Sequence, residues 1–222
     1  PLITFTGSNG TEPYTFTYTV NSGSEQTVAT IDGNTVTVPV STVSPGIFTY
    51  ALVSVQDGSS TACSQSQSGG ATVTVNALPE ATISGSTTVC RDASFPDVTF
   101  TGSLGTPPYT FTYTINGGSN QTVTTSGGSS VSIAVPTGTA GEFVYEPISV
   151  RDASTTGCTQ AQSGTAVIRI NPLPAATISG TTLVCRYATE PFITFTGTSG
   201  TPPYTFTYEV NSGGEQMVTT SG

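Results

Sequence analysis

The feature of this sequence that most constrains its fold is a repeat of 95 residues. The phrase GTEPYTFTY, which begins at Gly10, returns as GTPPYTFTY at Gly105 and Gly200, and the cysteines at 63 and 90 recur at 158 and 185. One register aligns all these markers without an insertion or deletion. A period of this length is too long for a solenoid repeat and matches the size of a whole domain. The sequence therefore predicts a string of similar domains.

The repeat also sets the predicted domain boundaries. Two short segments, NALP at residues 76–79 and NPLP at residues 171–174, separate the copies. We expect residues 1–79 to be the later part of one unit, residues 80–174 a complete unit, and residues 175–222 the opening strands of the next. Because the linkers lack a run of glycine and serine, we expect neighbouring domains to be held semi-rigidly, like beads in an extended fibre.

The complete unit has the hydrophobic pattern of β-strands throughout. Large apolar side chains alternate with serine and threonine in short runs, and clusters of Gly, Pro, Asn and Ser separate these runs. About seven runs in one period are typical of an immunoglobulin-like or PKD-like β-sandwich, and no stretch has a useful helical period. The predicted fold class is all-β. The predicted core residues are Tyr109, Phe111, Tyr113, Ile115, Val131, Ile133, Val135, Phe143, Tyr145, Ile148, Val150, Ile168 and Ile170.

One predicted strand changes phase within its length. In the run EFVYEPISV, Phe143 and Tyr145 have one parity, whereas Ile148 and Val150 have the other. A β-bulge allows both halves to face the core, and proline is tolerated at such a position. The pattern predicts a bulge at Glu146-Pro147.

Composition and charge exclude several classes of function. The chain has no histidine and only four cationic residues, with a net charge of -9. Nucleic acid is therefore not an expected partner, because few phosphates would be neutralised, and binding to anionic lipid is disfavoured for the same reason. No run of apolar residues is long enough to predict membrane insertion. Serine and threonine make up roughly a third of the chain, which predicts a soluble, hydroxyl-rich surface.

The sequence offers no convincing catalytic or cofactor site. Histidine-dependent triads and histidine metal sites cannot form, and most carboxylates change between copies, so we expect neither an enzyme nor a cofactor. Asp57 and Asp152 do recur. They are candidate calcium ligands, but an aspartate that caps a turn is the favoured interpretation. Arg91 and Arg186 also recur and are expected to be solvated or paired with an acid.

The cysteines, two per unit, predict a disulfide in a secreted protein rather than a zinc site. The preferred pairing is Cys90 with Cys158 inside the complete unit, which leaves Cys63 and Cys185 with partners outside the chain. A bond between neighbouring domains is the alternative.

Several motifs together resemble the repeats of giant surface adhesins of gliding Bacteroidota, the SprB type. They are VCRDASFPDVTFTG, GTPPYTFTY, AGEFVY, SVRDASTTGC and NPLPAATISG. The resemblance implies export by the type IX secretion system, attachment at the outer membrane, and a very long filament on the cell surface. It also implies two kinds of partner besides the neighbouring repeats, namely the motility and secretion machinery of the cell and external surfaces or polysaccharides.

The resulting hypothesis is a structural and adhesive stalk. The alternative is a carbohydrate-binding or spacer module of a secreted multidomain enzyme, which requires aromatic side chains on an exposed groove. Most Tyr and Phe residues fall on the core face, but Tyr187 is an exception because its counterpart is Asp92.

Overall fold

A computed structural model of the chain describes residues 1–221, and every regular element in this range is a β-strand. No helix among these residues meets the length and hydrophobicity of a membrane span. The predicted all-β, immunoglobulin-like fold is confirmed. The chain forms two compact units. The first comprises residues 1–79, 104–106 and 152–158, and the second comprises residues 80–103, 107–151 and 159 to the end of the described chain.

The first unit contains seven strands in two sheets. β1 pairs antiparallel with β4, and the second sheet has the order β3-β2-β5-β6 with β7 also paired to β5. The alternation of threonine with aromatic residues in β2 places Phe16 and Tyr18 inside. The strand bounds are β1 Leu2–Thr6, β2 Thr15–Val20, β3 Gln26–Ala29, β4 Thr35–Pro39, β5 Gly46–Gln56, β6 Ser64–Ser66 and β7 Gly70–Val75.

Residues 80–171 form nine strands, two more than the sequence predicts. The two additional strands are short, and they lack the alternation of large apolar residues with serine and threonine that predicts the other strands. The bounds are β8 Glu80–Ser84, β9 Thr87–Cys90, β10 Asp97–Ser103, β11 Thr110–Ile115, β12 Gln121–Thr124, β13 Ser130–Ala134, β14 Gly141–Arg151, β15 Thr159–Ala161 and β16 Ala166–Asn171. One sheet has the order β13-β10-β8, and the other has the order β12-β11-β14-β16-β9 with β15 on β14. β9 runs parallel to β16.

Four further strands complete the second unit. They are β17 Ala175–Ser179, β18 Thr194–Thr198, β19 Thr205–Tyr208 and β20 Gln216–Thr219, and they pair as β17-β18 and β19-β20. Their apolar side chains are largely exposed, including Ile178 and Met217.

Aromatic rings from both sheets meet in the core of residues 80–171. The ring of Phe100 on β10 lies 5.5 Å from that of Phe111 and 5.1 Å from that of Tyr113, centroid to centroid. Buried side chains surround them, namely Val98, Tyr109, Val135, Tyr145, Val150, Ala166, Ile168 and Ile170. Ile115, Val131, Ile133 and Phe143 are partly buried and pack against this cluster.

The structure has the bulge that the phase change predicts, one residue later in the strand. Tyr113 on β11 faces Pro147 and Thr112 faces Ser149, so Ile148 is the unpaired extra residue of β14. Pro147 takes the buried position and Ile148 is 43% exposed. The prediction of Ile148 as a core residue is therefore wrong, because the bulge turns that side chain outward.

Hydroxyl side chains pair across the strands on the outer face of the sheets. Thr99 and Ser132 are 2.8 Å apart, Thr101 and Ser130 are 2.9 Å apart, and Thr110 and Thr124 are 3.0 Å apart, measured between their side-chain oxygens. Each pair joins directly opposite residues of neighbouring strands. The threonine-rich face is therefore an ordered array of side-chain hydrogen bonds as well as a solvated surface.

A tyrosine ring packs against a glycine backbone in every copy of the repeated phrase. A Cβ atom added to Gly102 would lie 2.5 Å from Cγ of Tyr109, and the same distance separates Gly7 from Tyr14 and Gly197 from Tyr204. The backbone amide of Tyr109 donates to Oγ1 of Thr125 at 3.0 Å. A side chain at Gly102 therefore has no room unless the tyrosine moves.

Replacing this glycine tests the importance of the contact. We expect Gly102→Ala to lower the free energy of unfolding by about 1–3 kcal/mol, because a methyl group would overpack the ring of Tyr109. Urea denaturation followed by tyrosine fluorescence measures the change. Gly128→Ala is the matched control, since a Cβ at Gly128 meets no atom within 4 Å. Equal stability of the two variants would contradict the assignment.

Candidate functional site

The two recurrent aspartates lie in equivalent loops, each directly after the longest strand of its copy. In the loop of residues 152–158, Oδ1 of Asp152 accepts hydrogen bonds from the hydroxyl of Ser154 at 2.7 Å and from its amide at 3.3 Å. Oδ2 of the same carboxylate accepts from the amide of Thr106 at 3.0 Å. The amide of Ala153 donates back to the carbonyl of Thr106 at 2.8 Å. The buried carboxylate therefore fastens this loop to the turn at residues 104–106.

The loop of residues 57–63 repeats this arrangement. Oδ1 of Asp57 accepts from the hydroxyl of Ser59 at 2.7 Å and from the amide of Cys63 at 2.9 Å. Oδ2 accepts from the amide of Thr11 at 3.2 Å. Protein donors thus contact both oxygens of each aspartate, which is the arrangement of a turn cap. Within residues 1–221, no group of three or more acidic, cysteine or histidine side chains is placed to hold a metal ion.

The hydrogen bonds favour the ionised form of both carboxylates. For Asp57, the bond from Ser59 is the largest cause of a pKa below the ordinary value, and the bond from the Thr11 amide adds to it. For Asp152, burial raises the pKa, but the bonds from Thr106, Ser154 and Cys158 together outweigh burial and the pKa is lowered. Each loop is therefore stabilised by a charge at neutral pH.

The linker at residues 76–79 contacts the loop of residues 152–158 and the turn at residues 104–106, all within the first compact unit. Nδ2 of Asn76 donates to Oγ1 of Thr156 at 2.9 Å. A Cβ at Gly105 would lie 3.0 Å from Cβ of Pro79, so the turn packs closely on the proline. Sequence reasoning treated Asn76 as part of a linker and missed this contact. The recurrence of the asparagine at Asn171 was the available signal.

The predicted disulfide between Cys90 and Cys158 is not formed, and all four cysteines are free thiols. Cys90 pairs with Asn171 at the end of β16 that lies beside Gly141, where β14 begins. Cys158 precedes Thr159, which pairs with Arg151, where β14 ends. The 11 residues of β14 span about 33 Å from first to last at roughly 3.3 Å per residue. A disulfide needs Cα atoms about 4–7 Å apart, so the prediction is wrong because the two thiols lie at opposite ends of the sheet.

Cys90 instead lines a cavity in the second compact unit. The cavity is bounded by the linker and by the turn that begins β19, and its lining includes Asn171, Pro174, Gly200, Thr201 and Pro203. The amide of Arg91 donates to the carbonyl of Asn171 at 2.8 Å, which fixes the end of β9 against the end of β16. The thiol therefore lies beside the linker that leaves its own sheet.

The two recurrent arginines make different local contacts. Nε of Arg91 lies 3.3 Å from Oδ2 of Asp92 in an exposed ion pair. Arg186 has its guanidinium carbon 4.7 Å from the ring centroid of Tyr187, which occupies the position of Asp92. Tyr187 is 88% exposed and serves as a platform for the cation. Each arginine is thus paired with the residue that follows it.

Three solved structures similar to this chain come from adhesion proteins. A Ca²⁺-stabilised adhesin with which an Antarctic bacterium binds ice is 18% identical over 98% of this chain, with a TM-score of 0.42, and this chain spans 57% of it. A 1.5-MDa bacterial ice-binding adhesin is 17% identical over 98% of this chain and 76% of its own, with a TM-score of 0.43. A tetra-tandem repeat from the extending region of a large adhesion protein is 18% identical over 99% of this chain and 62% of its own, with a TM-score of 0.32.

No family model and no curated protein sequence matches the chain. At these identities and TM-scores, the structural likenesses support no inference about a ligand or an activity.

Removing the charge of the loop tests the role of Asp152. We expect Asp152→Asn to lower the free energy of unfolding at pH 7 by about 1–3 kcal/mol, because a buried charged acceptor is lost. The folded-state pKa lies below the unfolded value of about 3.9, so the charge stabilises the fold above that pH. This contribution is lost as the pH falls through the folded pKa, and the difference between wild type and variant shrinks there.

Urea denaturation at several pH values between 3 and 7 measures this difference. The control is Asp97→Asn, since Asp97 is exposed on β10. A stability difference for Asp152→Asn that stays constant over the whole pH range would contradict the charged cap.

Proposed function

We propose that this chain is a segment of a structural and adhesive stalk in a long secreted filament on a cell surface. The observation that carries the proposal is the repeat itself. One phrase, one glycine-tyrosine contact and one aspartate-capped loop recur without an insertion. Length built from similar folded units is what a stalk requires.

The linker contacts support a stalk that resists bending. The linker at residues 76–79 is held by the hydrogen bond from Asn76 to Thr156 and by packing of Pro79 on Gly105. These contacts add to the stiffness that a proline-containing linker without a glycine-serine run already has. Each repeat is therefore a partner of the next repeat in the same chain, and pulling on one end would load the folded units in series.

The few exposed aromatic rings of residues 80–174 favour a structural role over carbohydrate binding. In residues 80–174, Phe95 is the exposed aromatic side chain, while Tyr109, Tyr113 and Tyr145 are buried. A carbohydrate-binding face uses several exposed aromatic rings on one groove. The stalk is therefore favoured over a carbohydrate-binding module, and the scarcity of cations disfavours nucleic acid and anionic lipid.

The finer assignment follows from the resemblance in sequence to SprB-type adhesins of gliding Bacteroidota. On this proposal, the type IX secretion system exports the full protein, which is attached to the outer membrane and contacts external surfaces or polysaccharides. The motility machinery would move the filament along the cell. The support is the set of repeated motifs VCRDASFPDVTFTG, GTPPYTFTY and NPLPAATISG.

Surface labelling of the producing organism tests the stalk. We expect antibodies raised against residues 80–174 to label intact cells, and external protease to remove the label. An in-frame deletion of several repeats should reduce attachment to glass in proportion to the length removed. A cytoplasmic label would overturn the proposal, and unchanged attachment after the deletion would overturn its adhesive part.

A glycan array distinguishes the stalk from the carbohydrate-binding alternative. We expect no saturable binding of any glycan by this chain, because most of its aromatic rings are packed in the core. The control is Phe95→Ala, which removes the exposed ring of the complete unit. Saturable binding that the substitution abolishes would favour the carbohydrate-binding module.

A further inference from the structure

We propose that a disulfide joins consecutive repeats, between the cysteine at the Cys90 position of one repeat and the cysteine at the Cys158 position of the next. The proposal rests on the tandem arrangement of the repeats and does not depend on adhesion. It replaces the predicted pairing within a repeat, which the sheet topology excludes.

One partner in the proposed bond is the cysteine at the Cys90 position. Its strand ends beside Asn171, the first residue of the linker, and its thiol lines the cavity that also contains Gly200 and Thr201. These two residues belong to the first turn of the following repeat. Cys90 is exposed, so its sulfur is accessible to a partner on that turn.

The other partner is the cysteine at the Cys158 position. Its Sγ lies 3.3 Å from Oγ1 of Thr156, and the same hydroxyl accepts the hydrogen bond from Asn76 of the preceding linker. The loop is also fastened to Thr106 through Asp152. Cys158 is therefore held close to the linker that enters its repeat.

The 95-residue repeat relates the surroundings of Cys90 to those of Cys158. Asn76 is the counterpart of Asn171, and Thr106 is the counterpart of Thr201, each 95 residues earlier. A cysteine beside Asn76 on a neighbouring strand would therefore lie where Cys90 lies beside Asn171. Neighbouring strands are about 4.8 Å apart, so this cysteine would lie one strand spacing from Asn76, whose side chain contacts the same Thr156 hydroxyl as the thiol of Cys158.

On this pairing, no two of the four cysteines within residues 1–222 are partners of each other. The partner of Cys90 belongs to a loop that would be found 95 residues after Cys158, and the partner of Cys158 belongs to a strand that would be found 95 residues before Cys90. Cys63 and Cys185 lie at the same two positions in the flanking copies. Burial does not prevent any of these thiols from reaching a partner, because three of the cysteines are exposed and Cys158 is half-buried.

The bond forms by thiol–disulfide exchange with a disulfide-carrying oxidoreductase. One thiolate attacks the disulfide of the oxidoreductase and forms a mixed disulfide, releasing one of its sulfurs as a thiolate. The second thiolate then attacks the repeat's sulfur in the mixed disulfide and displaces the other. The two cysteines lose two protons and two electrons in total, and the oxidoreductase is reduced to a dithiol.

An extended chain tests the proposal. A copy of residues 80–95 placed directly before Pro1 supplies the strands β8 and β9 and the cysteine that the first repeat lacks, since Pro1 aligns with Pro96. After oxidation with glutathione disulfide, we expect peptide mapping without reduction to link the added cysteine to Cys158. Cys63, Cys90 and Cys185 should still react with iodoacetamide.

Matched variants separate the possible outcomes. Cys158→Ser should abolish the bond, and Cys63→Ser should leave it unchanged. A bond from the added cysteine to Cys63 would overturn the proposal in favour of pairing within a repeat, and five reactive thiols, or bonds between molecules alone, would overturn it as well. The present chain without the extension should keep four reactive thiols after the same treatment, and an internal bond in it would also contradict the proposal.

Discussion

The stacking of two phenylalanine rings between the sheets is the contact on which the rest of each repeat depends. The distance between centroids is 5.5 Å for Phe5 with Phe16, for Phe100 with Phe111 and for Phe195 with Phe206. In a chain in which serine and threonine are so abundant, aromatic side chains supply the largest apolar areas available for burial. Their positions fix β10 against β11, and these two strands carry the turn that receives the aspartate-capped loop.

The sequence predicted those structural features that depend on residues close to one another along the chain. The alternation in YTFTY predicted a strand with its rings inside, because the side-chain period of a strand is two residues. Ile148 was misplaced because the pairing partner decides which residue of a bulge is the extra one. The disulfide was misplaced because the hydrophobic pattern does not show strand direction. β9 runs parallel to β16 and β14 runs antiparallel to it, and these directions decide at which end of the sheet each thiol lies. The contact of Asn76 with Thr156 joins residues 80 positions apart, and the recurrence of the asparagine at Asn171 marks the position without naming its partner.

The functional interest of the molecule is concentrated in its loops, while its sheets serve as a scaffold. Asp152, Thr156 and Cys158 lie within one loop, and each contacts a different group: the turn at Thr106, the linker at Asn76 and the neighbouring hydroxyl. A substitution inside a sheet therefore acts on the stability of one repeat. A substitution in this loop acts on the coupling between a repeat and the linker before it.

The paired hydroxyls on the outer face have a consequence for the solvents in which the fold persists. Side chains such as Thr99 and Ser132 satisfy each other with neutral hydrogen bonds, where many proteins rely on charged side chains. Dissolved ions screen interactions between surface charges, and the screening length falls to about 3 Å at 1 M salt. Neutral pairs are not weakened in this way. The fold would therefore keep these surface contacts at low and at high salt concentration.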